Sequence, residues 1–361
     1  MAGAGLATGL FPPQDRDWGL PLEVVGLSPK AAQKVAREAT VQTYDPAARA
    51  LNEDWGTHYD GTQIRRWAVK LGQKVADRRA AEVVAYERGQ RPRGPALAPE
   101  LLVIGLDGGR VQGREKDPDS GSRWREDKVM TLTSYTPGDG QERDPEPLVT
   151  TVVATMGDSQ AFGKLVRVEA ERRGVRQARR VLNISDGAAW IDTQHQEHLG
   201  RHVRIVDWYH AVEHLHDQAR AVYPQDEGRQ KQWAHDLATL LWQGQMPGLI
   251  QVLEAHARKL GPPQDGDPPG HPRRVAAQNV GYFTKHQAHM NYPEYRKRGW
   301  PIGSGPTESG VKQVNKRVKG TEQFWDPQGV EPILALRALW LSQDGRWDHY
   351  WWYGRLTRDA A

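Results

Sequence analysis

The feature that most constrains the fold of this chain is a set of three short apolar runs, each followed directly by an aspartate. The runs cover residues 101–106, 180–185 and 202–206, and the aspartates are Asp107, Asp186 and Asp207. Their length and their content of Val, Leu and Ile are typical of buried strands. Because functional side chains gather at strand ends in open α/β sheets, these acids are expected where a functional site would form.

The segments between these runs complete an α/β pattern. Residues 128–135 and 148–155 alternate well enough for two further strands, and residues 158–173 form an amphipathic helix. The order is three strands, then helix, strand, helix, strand and helix, which predicts a layered α/β fold with helices on a sheet. The pattern at about 211–300 is almost entirely helical, and we interpret it as an insertion within a core spanning 101–361.

The N-terminal part predicts a small helical domain at 28–89, between an extended lead-in at 1–27 and a linker at 90–100. A short helix, a glycine-bearing turn and a second helix form a pattern similar to a helix-turn-helix motif. Gln63, Arg65 and Arg66 would then be its base or phosphate contacts. An ordinary helical hairpin with solvated arginines has the same pattern, so the sequence leaves both interpretations open.

Composition limits the classes of function. The chain has 49 Lys and Arg against 45 Asp and Glu, a formal charge of +4, so nucleic-acid binding must depend on local clusters. The absence of cysteine excludes disulfides and thiolate metal ligands. No window reaches the roughly 18 apolar residues of a membrane span, and no signal-peptide pattern is present. A cytoplasmic protein, associated with the nucleoid, is expected.

The strongest local charge cluster follows a loop of glycine and proline at 301–306. Thr307 is expected to cap a helix, with Glu308 in its first turn. Residues four apart share a helix face, which aligns Glu308 with Lys312 and Lys316. Between residues 296 and 320, seven Lys and Arg surround this single acid. The pattern suggests a metal ligand beside a polyanion, although a capping glutamate on a solvated basic helix would look the same.

Asp107, Asp186 and Glu308 together form the candidate site. Three carboxylates meeting at strand ends would repel one another unless a divalent cation neutralised them, and Mg²⁺ prefers such oxygen ligands. Two such ions, about 3.5–4 Å apart, clamp the attacking and leaving oxygens of a phosphodiester. Solvated loop acids are the alternative, and the basic helix favours the metal site.

The chain resembles the insertion-sequence transposases of the ISKra type from about Phe11 to its C-terminus. The motifs that carry the resemblance are Asp107-Gly108-Gly109, Ser185-Asp186-Gly187-Ala188, Asp207-Trp208-Tyr209-His210-Ala211, Tyr292-Pro293-Glu294-Tyr295, Gly303-Ser304-Gly305 and Glu308-Ser309. That family belongs to the Asp-Asp-Glu transposases, whose ribonuclease-H-like core has an all-helical insertion before the glutamate. Relatives commonly begin with a cysteine-bearing region similar to a zinc ribbon, and this chain contains no cysteine.

The resemblance implies that Asp107, Asp186 and Glu308 are a catalytic triad holding two Mg²⁺ ions, for which Mn²⁺ can substitute. It also implies that Asp207 and His210 form an Asp-x-x-His signature beside the active site. The expected partner is double-stranded DNA, at the element ends and at the target, bound by a homo-oligomer. The residues expected to bind DNA are Gln63, Arg65, Arg66, Arg125, Lys128, Lys312, Lys316, Arg317 and Lys319, of which Arg125 and Lys128 lie in a further family segment that starts at Trp124.

The sequence therefore predicts a transposase that cleaves DNA at the ends of an insertion sequence and transfers the strands into target DNA. Two alternatives stay open. One is a catalytically silent transposase remnant that binds DNA, and the other is a metal-dependent nuclease that cleaves without strand transfer.

Overall fold

The computed structural model describes residues 26–92, 98–118, 120–200, 202–320 and 323–352. Most of the predicted lead-in at 1–27 and the middle of the predicted linker at 90–100 lie outside the described residues. The strands are β1 (Leu101–Gln112), β2 (Trp124–Thr136), β3 (Glu146–Thr155), β4 (Arg180–Ser185) and β5 (Val203–Val206).

Helices account for most of the remaining described chain, and no helix within it is long and apolar enough to cross a membrane. They are α1 (Pro29–Val41), α2 (Tyr44–Trp55), α3 (Gly61–Glu87), α4 (Ser159–Arg172), α5 (Ala189–Gln194), α6 (Trp208–Val222), α7 (Glu227–Trp242), α8 (Met246–Leu260), α9 (Pro272–His286), α10 (Tyr292–Lys297), α11 (Gly305–Val318), α12 (Pro327–Leu341) and α13 (Arg346–Trp352).

The strands form one five-stranded mixed sheet in the order β3-β2-β1-β4-β5. The pairs β3-β2 and β2-β1 are antiparallel, whereas β1-β4 and β4-β5 are parallel. Alternate residues of β1 belong to two different hydrophobic clusters, one on each face of the sheet. Leu102, Ile104 and Leu106 pack with α4, while Leu101 and Val103 pack with the helices at 208–297. The mixed α/β architecture and the predicted order of elements are confirmed.

Strand β1 is longer than the apolar run that predicted it, so Asp107 lies within the strand and not after it. The segment Asp107-Gly108-Gly109 continues to pair with β2, and the ladder runs on to Gln112. On its other side β1 pairs with β4 only from Leu101 to Gly105. Asp107 therefore lies two residues beyond the parallel pairing, where one edge of β1 is free of a neighbouring strand.

Helix α11 lies directly against β1 and β2 because small residues meet where they cross. A Cβ added to Gly105 would lie 1.8 Å from Oγ1 of Thr307, and one added to Gly310 would lie 2.5 Å from Cγ2 of Thr131. The hydroxyl oxygens of Thr131 and Thr307 are 2.8 Å apart and share a hydrogen bond. Only glycine permits this approach, which brings the first turn of α11 onto the strand that carries Asp107.

The prediction that Thr307 caps this helix is wrong. Helix α11 begins at Gly305 with Ser304 at its N-cap, and Pro306 occupies the first turn. Proline is well suited to that position, because the N–H it lacks would have no partner within the helix. Thr307 is instead buried, with 5% of its surface exposed, and packs on the sheet.

The N-terminal helices share a hydrophobic core with the C-terminal helices and the sheet. Ile64 and Leu71 of α3 belong to the same buried cluster as Val152 of β3 and Leu334 of α12. Gly72 allows α3 to touch the backbone of α12, since a Cβ there would lie 2.3 Å from the main-chain oxygen of Pro332. The described helices at 29–87 are therefore packed onto the sheet-bearing part, and the proposed domain division stays a prediction.

Candidate active site

Asp107, Asp186 and Glu308 come together at one edge of the sheet. Gly105 of β1 pairs with Ile184 of β4, and continuing this register by two residues places Asp186 beside Asp107. Glu308 lies in the first turn of α11, which crosses β1. The pKa of Asp107 is raised to about 6, mainly by burial and in smaller part by the negative charges of Asp186 and Glu308. Asp186 and Glu308 are thus close enough to Asp107 for their charges to act on its carboxyl group.

These carboxylates do not form a ready-made metal cage. In the part of the chain that the structure describes, no group of three or more His, Asp or Glu side chains is arranged to hold a metal ion. The carboxylate of Glu308 lies 3.3 Å from Nζ of Lys312, and Oδ1 of Asp107 accepts a 2.6 Å hydrogen bond from the Gly108 amide. The donor set itself fits a hard divalent cation, because it consists of mutually repelling carboxylate oxygens.

Asp207 connects the end of β5 to the loop that precedes Glu308. One of its carboxylate oxygens accepts a 2.9 Å hydrogen bond from the His210 amide, which caps α6. The other accepts a hydrogen bond from the amide of Ser304. The amide of Trp208 adds a 2.9 Å bond to the main-chain oxygen of Ile302. Asp207 therefore ties the start of α6 to the start of α11, with one carboxylate oxygen bonded to each.

His210 borders the same edge of the sheet. Its side chain is 37% exposed, and Nδ1 lies 3.6 Å from a carboxylate oxygen of Glu213. Its ring makes an edge-on contact with His214 at 4.9 Å between centroids. In its protonated form His210 lowers the pKa of Asp107, opposing the larger effect of burial. His210 therefore lies near enough to Asp107 for its charge to act on that carboxyl group.

Side chains of the predicted helical insertion contact the segment that carries Asp186. The sequence analysis did not predict these contacts. Tyr282 of α9 donates a 3.1 Å hydrogen bond to the main-chain oxygen of Asp186, and His214 of α6 stacks on the Tyr282 ring at 3.9 Å. Gly187 has a φ of +88°, which glycine adopts without strain, and a Cβ there would meet the His286 ring at 3.1 Å. Helical periodicity alone gave no signal for these contacts.

A fourth carboxyl group, that of Asp127, is buried next to the site and was also missed. Asp127 faces Gly109 across the β1-β2 ladder, and none of its surface is exposed. Among the described residues, no other residue donates a hydrogen bond to either of its carboxylate oxygens, and Oδ1 of Asn315, which lies over the same glycine, has no partner there either. The pKa of Asp127 is raised to about 6, mainly by burial and in smaller part by the charges of Glu126 and Asp107.

We expect Asp127→Asn to stabilise the protein at neutral pH. The pKa of Asp127 is about 6 in the folded protein, against 3.8 in an unfolded chain, so ionising this buried group costs folding free energy. This cost begins as the pH rises above 3.8 and is complete above about pH 6. The substitution should therefore add about 2–3 kcal/mol to the free energy of unfolding at pH 8, and almost nothing at pH 4.

Urea unfolding at the two pH values measures this effect, with Asp236→Asn, an exposed acid of α7, as the control. An equal gain at both pH values would show that the buried charge is not its cause.

A basic groove leads from the carboxylates along the exposed face of α11. One part, about 390 Å³, is lined by Glu308, Lys312 and Lys316 among others. The adjoining part, about 430 Å³, is lined by Arg110, Lys312, Lys316 and Lys319, with Gly108 and Gly109 at its floor. The three lysines predicted to bind DNA on this helix therefore share one open surface that begins beside Glu308.

Two residues predicted to bind DNA do not reach that surface. Arg317 is 2% exposed, its Nε donates a hydrogen bond to the Ala39 main-chain oxygen, and its guanidinium lies 4.8 Å from the Tyr44 ring centroid. Arg317 thus links α11 to the N-terminal helices. This corrects the prediction that its side chain contacts DNA phosphates. Lys128 is 8% exposed and lies 3.3 Å from a carboxylate oxygen of Glu126.

The other predicted DNA contacts lie away from the carboxylates or are engaged with acids. Gln63, Arg65 and Arg66 occupy the first turns of α3, where Arg66 is exposed and Arg65 lies 3.1 Å from Asp326. Arg125 of β2 lies 3.2 Å from Asp117. A role for these residues in binding DNA stays a prediction.

Comparison with known proteins gives only a distant likeness. No protein-family model matches the chain, and no curated protein matches it. Among solved structures, a chain of the Drosophila P element transposase strand transfer complex aligns with a TM-score of 0.37 and 10% identity, covering 86% of this chain and 92% of that chain. A likeness at this level defines neither fold nor function, so the proposals below depend on the residues described above.

Proposed function

We propose that this protein is an Asp-Asp-Glu transposase that cleaves DNA at the ends of an insertion sequence and transfers the strands into target DNA. The observation that carries the proposal is the approach of Asp107, Asp186 and Glu308 at one sheet edge, at the start of a basic helix. The strand order β3-β2-β1-β4-β5 supports a ribonuclease-H-like core. The ISKra-type assignment depends on the sequence motifs.

The residues that would hold the divalent ions, Mg²⁺ or Mn²⁺, are Asp107, Asp186 and Glu308. When bound, such ions activate water and stabilise the charge that develops on a phosphodiester. A protonated His210 favours the ionised form of Asp107, which is the form that can ligate. Lys312, Lys316 and Lys319 position the DNA through its phosphates, without reading its sequence.

The test is cleavage of labelled DNA that carries the flanking element ends, with Mg²⁺ and then with EDTA. We expect cuts at the element boundary only when the metal is present, followed by joining to an added target plasmid. Binding without cutting would overturn the proposal in favour of a DNA-binding remnant. Cutting without joining would favour a nuclease.

The proposal includes a homo-oligomer on DNA, because joining two element ends to one target requires two cleavage sites. The mass of the protein in solution, alone and with DNA ends, tests this part. Binding to DNA would also place the protein at the nucleoid.

A further inference from the structure

Two aromatic side chains are exposed at the far end of the basic groove. Trp124 is 41% exposed and Phe324 is 40% exposed, although large aromatic side chains are usually well buried. Trp124 pairs with Gln112 at the end of β1, and Phe324 directly precedes Trp325, which bridges to Gly113. The two rings therefore flank the same end of β1, on a surface that the function described so far does not use.

Each of these rings has a cation close to it. Nζ of Lys319 lies 5.6 Å from the centroid of the Trp124 ring, and the guanidinium of Arg123 lies 5.7 Å from that of Phe324. This combination suits a nucleotide, because a base can stack on the ring while the adjoining phosphate meets the cation.

The charge around the rings favours a polyanion over a protein partner. Arg110 and Arg114 are exposed, and Nε of Arg114 lies 3.5 Å from the main-chain oxygen of Phe324. The same hairpin carries the acids Glu115 and Asp117, of which Asp117 lies 3.2 Å from Arg125. With Arg123, Lys316 and Lys319 included, the cations outnumber these acids.

The aromatic pair is continuous with the carboxylate site. Lys319 lines the groove that begins at Gly108, and the same lysine lies over Trp124. Asp107 and Gln112 are five residues apart on one strand, or about 17 Å at the usual rise of a strand. A strand of DNA held at the carboxylates would therefore reach the rings within a few nucleotides.

We propose that Trp124 and Phe324 form a stacking site for unpaired nucleotides of the DNA strand next to the cleavage position, with Lys319 and Arg123 holding the adjoining phosphates. Bases within a duplex are already stacked on each other, whereas unpaired bases can offer their faces to the rings. The inference extends the proposed function, because it specifies DNA that is locally single-stranded beside the cut.

The test is binding of fluorescein-labelled DNA to the full-length protein in EDTA, measured by anisotropy with a single-stranded oligonucleotide, a forked duplex and a blunt duplex. Trp124→Ala and Phe324→Ala should each weaken binding of single-stranded and forked DNA about 10-fold. Binding of the blunt duplex should stay within about twofold, because phosphate contacts dominate there.

Two matched variants control for other causes. Trp124→Phe keeps an aromatic face and should retain most of the single-strand affinity. Leu148→Ala removes an exposed apolar side chain from β3, beside the end of β2 that is distant from Trp124, and should change nothing. Circular dichroism melts of every variant confirm that the fold is kept.

Equal affinity of wild type and the Trp124→Ala, Phe324→Ala double variant for single-stranded DNA would overturn the inference, and so would an equal loss on all three DNAs. The outcome is separate from that of the cleavage assay, since binding in EDTA needs no catalysis. A protein that cuts DNA while its aromatic variants bind normally would retain the proposed function and lose the stacking site.

Discussion

We expect Asp107→Asn to abolish metal-dependent cleavage, that is, to lower its single-turnover rate by at least about a thousand-fold. The charges of the other two acids of the site, Asp186 and Glu308, both act on Asp107. Asparagine keeps the size of the side chain but replaces a charged ligand oxygen with an amide. DNA binding, which we propose to depend on Lys312, Lys316 and Lys319, should stay within about twofold.

Single-turnover cleavage and anisotropy on the same DNA separate these two effects. The matched variant is Asp127→Asn, which neutralises a neighbouring buried acid that belongs to no proposed metal site and should therefore leave cleavage intact. Normal cleavage by Asp107→Asn would remove the basis for the proposed triad. Loss of cleavage in both variants would mean that any change of charge in this part of the sheet is sufficient.

Glu169→Gln should lower the free energy of unfolding by about 3–5 kcal/mol at pH 7. Glu169 of α4 is 2% exposed, and its carboxylate lies 2.6 Å from nitrogens of both Arg172 and Arg346. It also accepts a 2.7 Å hydrogen bond from the Thr151 hydroxyl. The network joins α4, β3 and α13, so a neutral amide at this position would leave two mostly buried arginines without their shared counter-ion.

The same network predicts a pH dependence. Burial alone would raise the pKa of Glu169, but the charges of Arg346 and Arg172 outweigh it and hold the pKa at about 2, against 4.5 in an unfolded chain. The stabilisation by the ionised group is therefore fully present above pH 4.5 and is lost as the pH falls towards 2.

Urea unfolding of wild type and variant across this pH range is the measurement, and the difference between them should narrow as the pH falls. Glu254→Gln is the control, because Glu254 and Arg258 form an exposed pair at 3.5 Å whose loss should cost under about 0.5 kcal/mol. A cost for Glu169→Gln as small as that of the control would show that the buried network does not stabilise the fold.

The sequence by itself determined the elements and their order, because the signals for them are local. The apolar run at 101–106 is short enough for a strand, and the basic helix after 301–306 has a proline and a glycine at its start. The same signals placed Asp186 and Glu308 at element ends and Asp107 at the end of its apolar run, although β1 itself continues to Gln112. The alignment of Glu308 with Lys312 followed from helix geometry alone.

Only the tertiary structure decided which charged and polar residues are buried. Arg317 was expected on the DNA surface from its sequence neighbours, yet its side chain bonds to Ala39, 278 residues earlier. Tyr282 bonds to Asp186, 96 residues away, and Asn315 of α11 packs over Gly109 together with the buried Asp127. A local pattern specifies the face of an element but not what packs against that face, because packing depends on chain segments that are distant in sequence.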